Sequence, residues 1–302
     1  MNSSDSSNPH IILIFIDGVG VGESDPTFNP LMFSQSGIFH PDGQDRLPFG
    51  GIKKGLDAVL GVAGLPQSAT GQTSIYTGIN AAGIVGHHLF GFPNQPLRDL
   101  LHHESVFVKL VRGGKQCRFL NGFRPVFFTT PEIFARMRMS ATAEMNRGAG
   151  LPFTTLEDIR NGQGIYHEYT NQFLNDLGFS MPFFTASDAA DIIVAESRKY
   201  HLILYEYFMT DAAGHSRDMA FGKKEVGRIE QLISGVASRI NLKDTVLIVI
   251  SDHGNLEDLR TKSHTRNHSF FAVWGDGIPV PDLKKITDIT PMILDLLSSE
   301  TG

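Results

Sequence analysis

The sequence predicts an α/β fold: a doubly wound, mostly parallel sheet with a small inserted cap domain. Three observations predict it. Four short β-rich runs are apolar and none alternates cleanly with polar residues, as strands buried on both faces require. Helical patterns lie between and after these runs. The middle of the chain has a different composition, rich in Phe, Arg, Gly and Pro.

Taken in order, residues 1–9 are Ser- and Asn-rich and read as a tail. The first run, 11–16, is too short for a signal segment or a membrane span and reads as a buried strand. The segment 64–78 is rich in Gly, Ser and Thr. From 91 to 181 come two short helix candidates, 105–112 closed by Gly113-Gly114 and 167–177 closed by Gly178. One strand candidate, 117–120, lies between them, and no acid–histidine cluster is present. We read 91–181 as the cap, and 1–90 with 182–302 as the core. The core resumes with a helix at 187–200 and the second run at 202–208. A helix at 223–240 follows, with Val226, Ile229, Leu232, Ile233 and Val236 at helical spacing. The third and fourth runs are 245–250 and 270–274, and a last helix spans 288–297, with Pro291 in its first turn where proline is tolerated.

The bulk composition narrows the function. With 302 residues, 41% hydrophobic and 19% charged, the chain reads as a folded soluble protein. A net charge of −6 gives no basic bias toward nucleic acid, and an acidic protein that handles phosphate esters needs cations to offset repulsion. One cysteine, Cys117, excludes an intramolecular disulfide and fits a reducing compartment. No membrane segment is expected, and the cytoplasm is the default location.

The acids and histidines fall at the ends of the apolar runs. Asp17 follows the first, Asp211 and His215 follow the second, Asp252 and His253 follow the third, and His264 precedes the fourth. Open parallel sheets bind ligands outside the carboxyl ends of their strands, so these side chains are expected at one rim. Each alone has an ordinary role as turn former, N-cap or surface histidine. Their joint placement argues for metal. Mixed Asp and His donors suit Zn²⁺ or Mn²⁺, and three of each exceed what one tetrahedral ion needs, so two divalent ions are expected. Several hydroxyls compete as nucleophile in 64–78; Ser68 at a helix start would face backbone N–H groups that favour a phosphate.

These segments together resemble the alkaline phosphatase superfamily of metalloenzymes, nearest to the phosphopentomutase and cofactor-independent phosphoglycerate mutase branch. The resemblance rests on the strand-Asp-Gly start at Asp17-Gly18, the nucleophile segment, Asp211-x-x-x-His215, Asp252-His253-Gly254-Asn255 and His264-Thr265-Arg266-Asn267. It covers the first 90 and the last 110 residues or so. The family places its nucleophile nine residues before a Thr-Gly pair, and counting back from Thr77-Gly78 selects Ser68, with Thr70 and Thr73 as lesser candidates. The resemblance implies one ion on Asp211, His215 and His264, and another on Asp17, Asp252 and His253, with Ser68 shared or adjacent. It implies a two-metal phosphate-ester hydrolase working through phosphoserine, or a phosphosugar mutase with intramolecular phosphotransfer. A metal-binding protein without catalysis is the remaining alternative. Arg124, Arg217, Arg266 and Asn267 are candidates to bind a small phosphorylated substrate. His268 is a candidate to support the ligands from behind. The sequence leaves the oligomeric state open.

Overall fold

A computed structural model describes residues 9–42, 45–128, 138–276 and 283–298. The expected Ser/Asn-rich tail lies, up to residue 8, outside these residues. Strands β1 (His10–Ile16), β2 (Ile52–Leu56), β3 (Cys117–Phe119), β6 (Leu202–Tyr207), β7 (Thr245–Ile250) and β8 (Ser269–Trp274) form one sheet, in the order β2-β8-β7-β1-β6-β3. Strand β1 runs parallel to both β6 and β7, and β3 runs parallel to β6. The expected α/β, mostly parallel sheet is present, with an antiparallel edge. Strand β8 is antiparallel to β7, and β2 is antiparallel to β8. The chain between β7 and β8 is a loop without a crossover helix, so β8 returns against its neighbour.

Both faces of this sheet are buried, which explains the unbroken apolar runs. Ile12, Ile14 and Ile16 of β1 face one core, under α8 (Ala186–Ser197) and α10 (Met219–Ala237). Ile11, Leu13 and Phe15 face the other, with α1 (Ser68–Thr77), α4 (Val106–Arg112) and α11 (Ile289–Ser298). The period-2 alternation of a strand sends successive side chains into two different cores, so both sets of residues are largely apolar.

Helix boundaries follow capping chemistry. Helix α8 opens on a capping box, in which Thr185 accepts from the Asp188 N–H and Asp188 accepts from the backbone of Thr185. Helix α10 begins four residues before the expected 223, because Asp218 caps the N–H groups of Ala220 and Phe221. The helix expected over 167–177 shrinks to α7 (Gln172–Asp176). Tyr169 and Asn171 take positive φ there, and the Glu168 carboxylate accepts from the backbone of Thr170 and Phe173. Such side-chain bonds compete with a helix. Strand β2 was not expected, since Ile-Lys-Lys-Gly-Leu carries little strand signal. Lys53 is buried in it, donating to the carbonyls of Gly37, Ile38 and His40.

Residues 91–181 contribute in two ways. Helix α3 (Gln95–Glu104) packs on α1, while α4 and β3 join the main sheet and its core. Further along, β4 (Gly122–Phe123) and β5 (Thr154–Thr155) form a two-stranded parallel sheet. Around it, α6 (Leu156–Arg160) and α7 share a separate apolar cluster of Leu156, Ile159, Tyr166, Leu174 and Met181. Between these parts, α5 (Ala141–Gly148) packs on α1, α3 and α4.

Two substitutions test this account of the core and the cap. Leu13→Ala, at a site with no exposure, is expected to lower unfolding free energy by about 2–5 kcal/mol. Thr185→Ala, which removes the α8 cap, is expected to cost only about 1 kcal/mol. Urea unfolding measures both.

Candidate metal centre

The first three ligand segments leave the carboxyl ends of adjacent strands. Asp17 directly follows β1, Asp211 lies in the first turn of α9 (Met209–Ser216) after β6, and Asp252 and His253 follow β7. Because β6, β1 and β7 are neighbours in register, these ends meet. Backbone bonds draw them closer. The Asp17 N–H donates to the Tyr207 carbonyl (2.9 Å), the Thr210 hydroxyl donates to the Asp17 carbonyl (2.6 Å), and the Gly18 N–H reaches Asp252 Oδ1 (3.3 Å). His264 arrives from the loop before β8 and is buried.

All six expected side chains come together. Single ligand atoms of Asp17, Asp252 and His253 lie within 4.8 Å of one another, as do those of Asp211, His253 and His264. His215 joins the second group, with Nε2 3.2 Å from Asp211 Oδ2 and 3.3 Å from His264 Nε2. His253 Nε2 stands 3.3 Å from Asp17 and 3.4 Å from Asp252. It is therefore the hinge between the two groups.

The donor chemistry fits divalent cations. Each imidazole places Nδ1 against a backbone carbonyl: His215 on Lys262 (2.7 Å), His253 on Gly254 (3.3 Å) and His264 on Pro66 (2.8 Å). A carbonyl can only accept, so the N–H sits on Nδ1 and each Nε2 presents a lone pair inward. The Nε2 atoms of His215 and His264 face each other at 3.3 Å. Asp17 Oδ1 is buried without a hydrogen-bond partner. An orphaned buried carboxylate oxygen is unfavourable by itself and is satisfied by a cation.

Electrostatics point the same way. Burial, then the neighbouring carboxylates Asp252, Asp211 and Glu206, hold Asp17 well above the usual carboxylate range. Burial and Asp211 do the same to Asp252. Burial also works to raise Asp211, but the His215 hydrogen bond and the Asn255 amide overcome it and bring its carboxyl to about 2. Burial pushes His253 down to about 3 and lowers His264. The Asp211 hydrogen bond raises His215.

Ser68 is half-buried in the first turn of α1, and Gln67, not Ser68, is the N-cap. Its Oγ lies 3.0 Å from His253 Nε2. The competing hydroxyls are engaged elsewhere. Thr70 donates to the Gln67 carbonyl, and Thr73 and Ser74 donate back to the carbonyls of Ala69 and Thr70 within the helix. Gly71 allows α1 to lie this close, since a Cβ there would sit 3.0 Å from the Asp252 side chain and carbonyl. Gly18 is under a tighter constraint, with φ +69° and a hypothetical Cβ 2.5 Å from Asp211 Oδ1.

The expected substrate residues separate into two kinds. Arg124 is half-buried, and its charge acts on Tyr166 and His167. His167 stacks on Phe208, the residue that precedes α9. Arg266 donates to the Gly64 carbonyl in the segment that leads to Ser68 (2.8 Å). The other two are occupied in holding loops. Arg217 ends α9 in a left-handed conformation and donates to the Leu259 carbonyl, and Asn267 donates to Glu257. His268 lies against Gly55 of β2.

Sequence reasoning missed four residues of the centre. Gln72, one helical turn after Ser68, donates to Asp17 (3.3 Å) and Asp252 (3.5 Å); the i, i+4 spacing was the available signal. Asn255 donates to Asp211 Oδ1 (2.6 Å). Glu257 is fully buried and accepts from the N–H groups of Gly20 and Asn255, the Thr265 hydroxyl and the Asn267 amide, tying together three ligand-bearing segments. Glu206 of β6 is buried beneath Asp17, and burial pushes it up to about 7.

Known proteins share these features. Residues 181–301 match the family model of the Metalloenzyme superfamily. A 2,3-bisphosphoglycerate-independent phosphoglycerate mutase of Desulforudis audaxviator is 27% identical over 124 residues, covering 38% of this chain and 24% of that protein. The chain thus spans about a quarter of the length of the curated relative it matches. Among solved structures, the PH0037 protein of Pyrococcus horikoshii aligns with a TM-score of 0.60 at 14% identity, covering 98% of this chain and 100% of that one. Alkaline phosphatase from the Antarctic bacterium TAB5 aligns with a TM-score of 0.56 at 14% identity, covering 97% and 99%. The likenesses bear out the resemblance to the alkaline phosphatase superfamily near its phosphoglycerate mutase branch.

Glu206 offers a test of the electrostatics. Its folded pKa lies above the ordinary glutamate value of 4.5, so its contribution to stability is fully present below that value and is lost as pH rises through about 7. Glu206→Gln, compared with the parent in chelator, is therefore expected to gain relative stability between pH 5 and pH 8, by roughly 3 kcal/mol at most. Urea unfolding at the two pH values checks the sign.

Proposed function

We propose that the chain is a metal-dependent phosphoryl-transfer enzyme that hydrolyses a phosphate ester of a small phosphorylated substrate through a phosphoserine at Ser68. The observation that carries this reading is the convergence of three inward Nε2 atoms and three carboxylates beside the Ser68 hydroxyl, with Asp17 Oδ1 left without a partner. Asp17, Asp252 and His253 would hold one divalent ion, and Asp211, His215 and His264 the other. The Asp/His donor set suits Mn²⁺ or Zn²⁺. Such ions, when bound, supply charge that acidifies a hydroxyl and stabilises phosphoryl oxygens.

The chain's own residues do the rest. Ser68 stands at the first turn of α1, where unpaired backbone N–H groups and the helix dipole favour an incoming phosphate. Its O–H donates toward His253 Nε2, which orients Oγ. The Gln72 amide holds Asp17 and Asp252, and Asn255 holds Asp211, so the ligands are ordered before any ion arrives. Arg124 and Arg266 are the candidates to meet the ester. Attack by Ser68 Oγ on phosphorus forms the phosphoserine and releases the alcohol; water then releases phosphate.

A phosphosugar mutase is the second reading, in which a substrate hydroxyl takes the phosphoryl group from Ser68 in place of water. The phosphoglycerate mutase relatives favour it. The acidic net charge weighs against nucleic acid as a partner. No helix among the described residues is long and apolar enough to cross a membrane, and the single buried Cys117 suits the cytoplasm.

Three assays test the proposal. Release of p-nitrophenol from its phosphate ester is expected with Mn²⁺ or Zn²⁺ and is expected to vanish with chelator. Ser68→Ala is expected to keep metal-induced thermal stabilisation and to lose turnover by on the order of 10³-fold or more; full activity would exclude Ser68. Interconversion of ribose 5-phosphate and ribose 1-phosphate without phosphate release would select the mutase.

A further inference from the structure

Each carboxylate of the metal centre has one oxygen held back and one left open. Asp17 Oδ2 accepts from the Gln72 amide at 3.3 Å, while Asp17 Oδ1 is buried without a hydrogen-bond partner, 3.3 Å from His253 Nε2. Asp252 Oδ1 accepts from the Gly18 N–H at 3.3 Å, while Asp252 Oδ2 stands 3.4 Å from the same His253 nitrogen. Gln72 reaches that oxygen only at 3.5 Å, the outer limit of a hydrogen bond. Asp211 Oδ1 accepts from the Asn255 amide at 2.6 Å and lies 3.7 Å from His264 Nε2. Asp211 Oδ2 stands closer to an imidazole, 3.2 Å from His215 Nε2. The open oxygens are thus the ones nearest to imidazole nitrogen, and each held oxygen meets a neutral N–H donor.

Neutral donors leave the charge of the centre intact. A lysine or arginine would offset adjacent buried carboxylates more strongly. Among the described residues, however, the ion-pair partners of Asp17, Asp211 and Asp252 are all histidines. Gln72 is 5% exposed and Asn255 not at all, so both amides lie inside the wall of the centre. An amide nitrogen supplies two N–H donors and no charge. It fixes the rotation of a carboxylate and leaves the negative charge free for a cation. It also occupies the oxygen that a carboxylate would need to grip an ion with both.

On the Asp17 side, the open donors are Asp17 Oδ1, Asp252 Oδ2 and His253 Nε2, with Ser68 Oγ 3.0 Å from that nitrogen. Ions differ in how they use such a set. Zn²⁺ is satisfied by a tetrahedral group of single donors. Ca²⁺ takes roughly six to eight oxygens and gains from carboxylates that bind through both. We infer that Gln72 and Asn255 are positioning residues that determine ion specificity: by tying back one oxygen of Asp17 and one of Asp211, they keep these ligands single-toothed and set a preference for Zn²⁺ over Ca²⁺. The inference rests on the metal-dependent reading of the site and adds what selects the ion.

Competition against a coloured chelator gives Zn²⁺ and Ca²⁺ affinities for the full chain and its variants, with p-nitrophenyl phosphate turnover measured in parallel. Gln72→Met keeps the length of the side chain and removes both N–H donors. It is expected to weaken Zn²⁺ about tenfold. Ca²⁺ is expected to stay within about twofold or to tighten, because the freed Asp17 Oδ2 can join it. The ratio of the two affinities therefore falls about tenfold, whereas a merely structural role would weaken both ions alike. Asn255→Ala reads the same ratio at Asp211 and decides the matter should Gln72→Met fail to fold. Equal weakening of both ions, an unchanged ratio, or a parent that holds Ca²⁺ as tightly as Zn²⁺ would overturn the inference, even in a protein that releases p-nitrophenol. A fallen ratio in a protein that turns over no phosphate ester would instead overturn phosphoryl transfer and leave the ion selection standing.

Discussion

Buried carboxylates and inward-facing imidazole lone pairs repel one another, and this structure gathers six such side chains at one sheet rim. Asp252 and His253 have no exposure at all. The His215 and His264 Nε2 atoms stand 3.3 Å apart. That arrangement is unfavourable by itself, so the rest of the fold must hold it. It does so with three adjacent strands whose ends are fixed by register, above two cores that fill both faces of the sheet. Any slip of β1 by one residue would exchange its two core faces, so the position of Asp17 is secured by hydrophobic packing several residues away.

Fixing the strands is not enough to aim the side chains. That task falls to polar groups which are themselves buried and satisfied. Backbone carbonyls of Lys262, Gly254 and Pro66 set the tautomer and tilt of the three imidazoles. Glu257 gathers donors from the segments that follow Asp17, His253 and His264, so one carboxylate fastens three loops that have no regular structure in common. Removing it would leave several buried donors without partners, which is more costly than the loss of any single bond. Glycine at positions 18 and 71 lets backbone and ligand approach closer than a Cβ would permit. The centre is thus preorganised by the protein, and a cation would relieve repulsion that folding has already imposed.

Charge is distributed unevenly around this centre. The ligands are acidic, as is the chain overall, yet the cavity beside Phe90 and the loop before Ser68 carry arginines.

The strands and the six candidate ligands were legible in the sequence because each depends on short-range facts. A strand buried on both faces must be largely apolar, and acids or histidines directly after such strands have few structural reasons to be there. Ser68 was legible only with the help of family spacing. Strand β2, the direction of β8 and the early start of α10 were not legible, because Lys53 is satisfied by three distant carbonyls and β8 by its neighbours in the sheet. Gln72, Asn255, Glu206 and Glu257 look like ordinary polar residues in the chain. Only tertiary structure brings Asp17 and Asp252 within reach of Gln72, or Gly20 and Thr265 onto Glu257. Sequence by itself therefore determined which atoms can bind and which faces must be buried, since both are properties of single residues and their immediate spacing. The fold decided which of those atoms meet, how they are oriented and where the basic cavity lies, since these depend on contacts between residues as many as 237 positions apart.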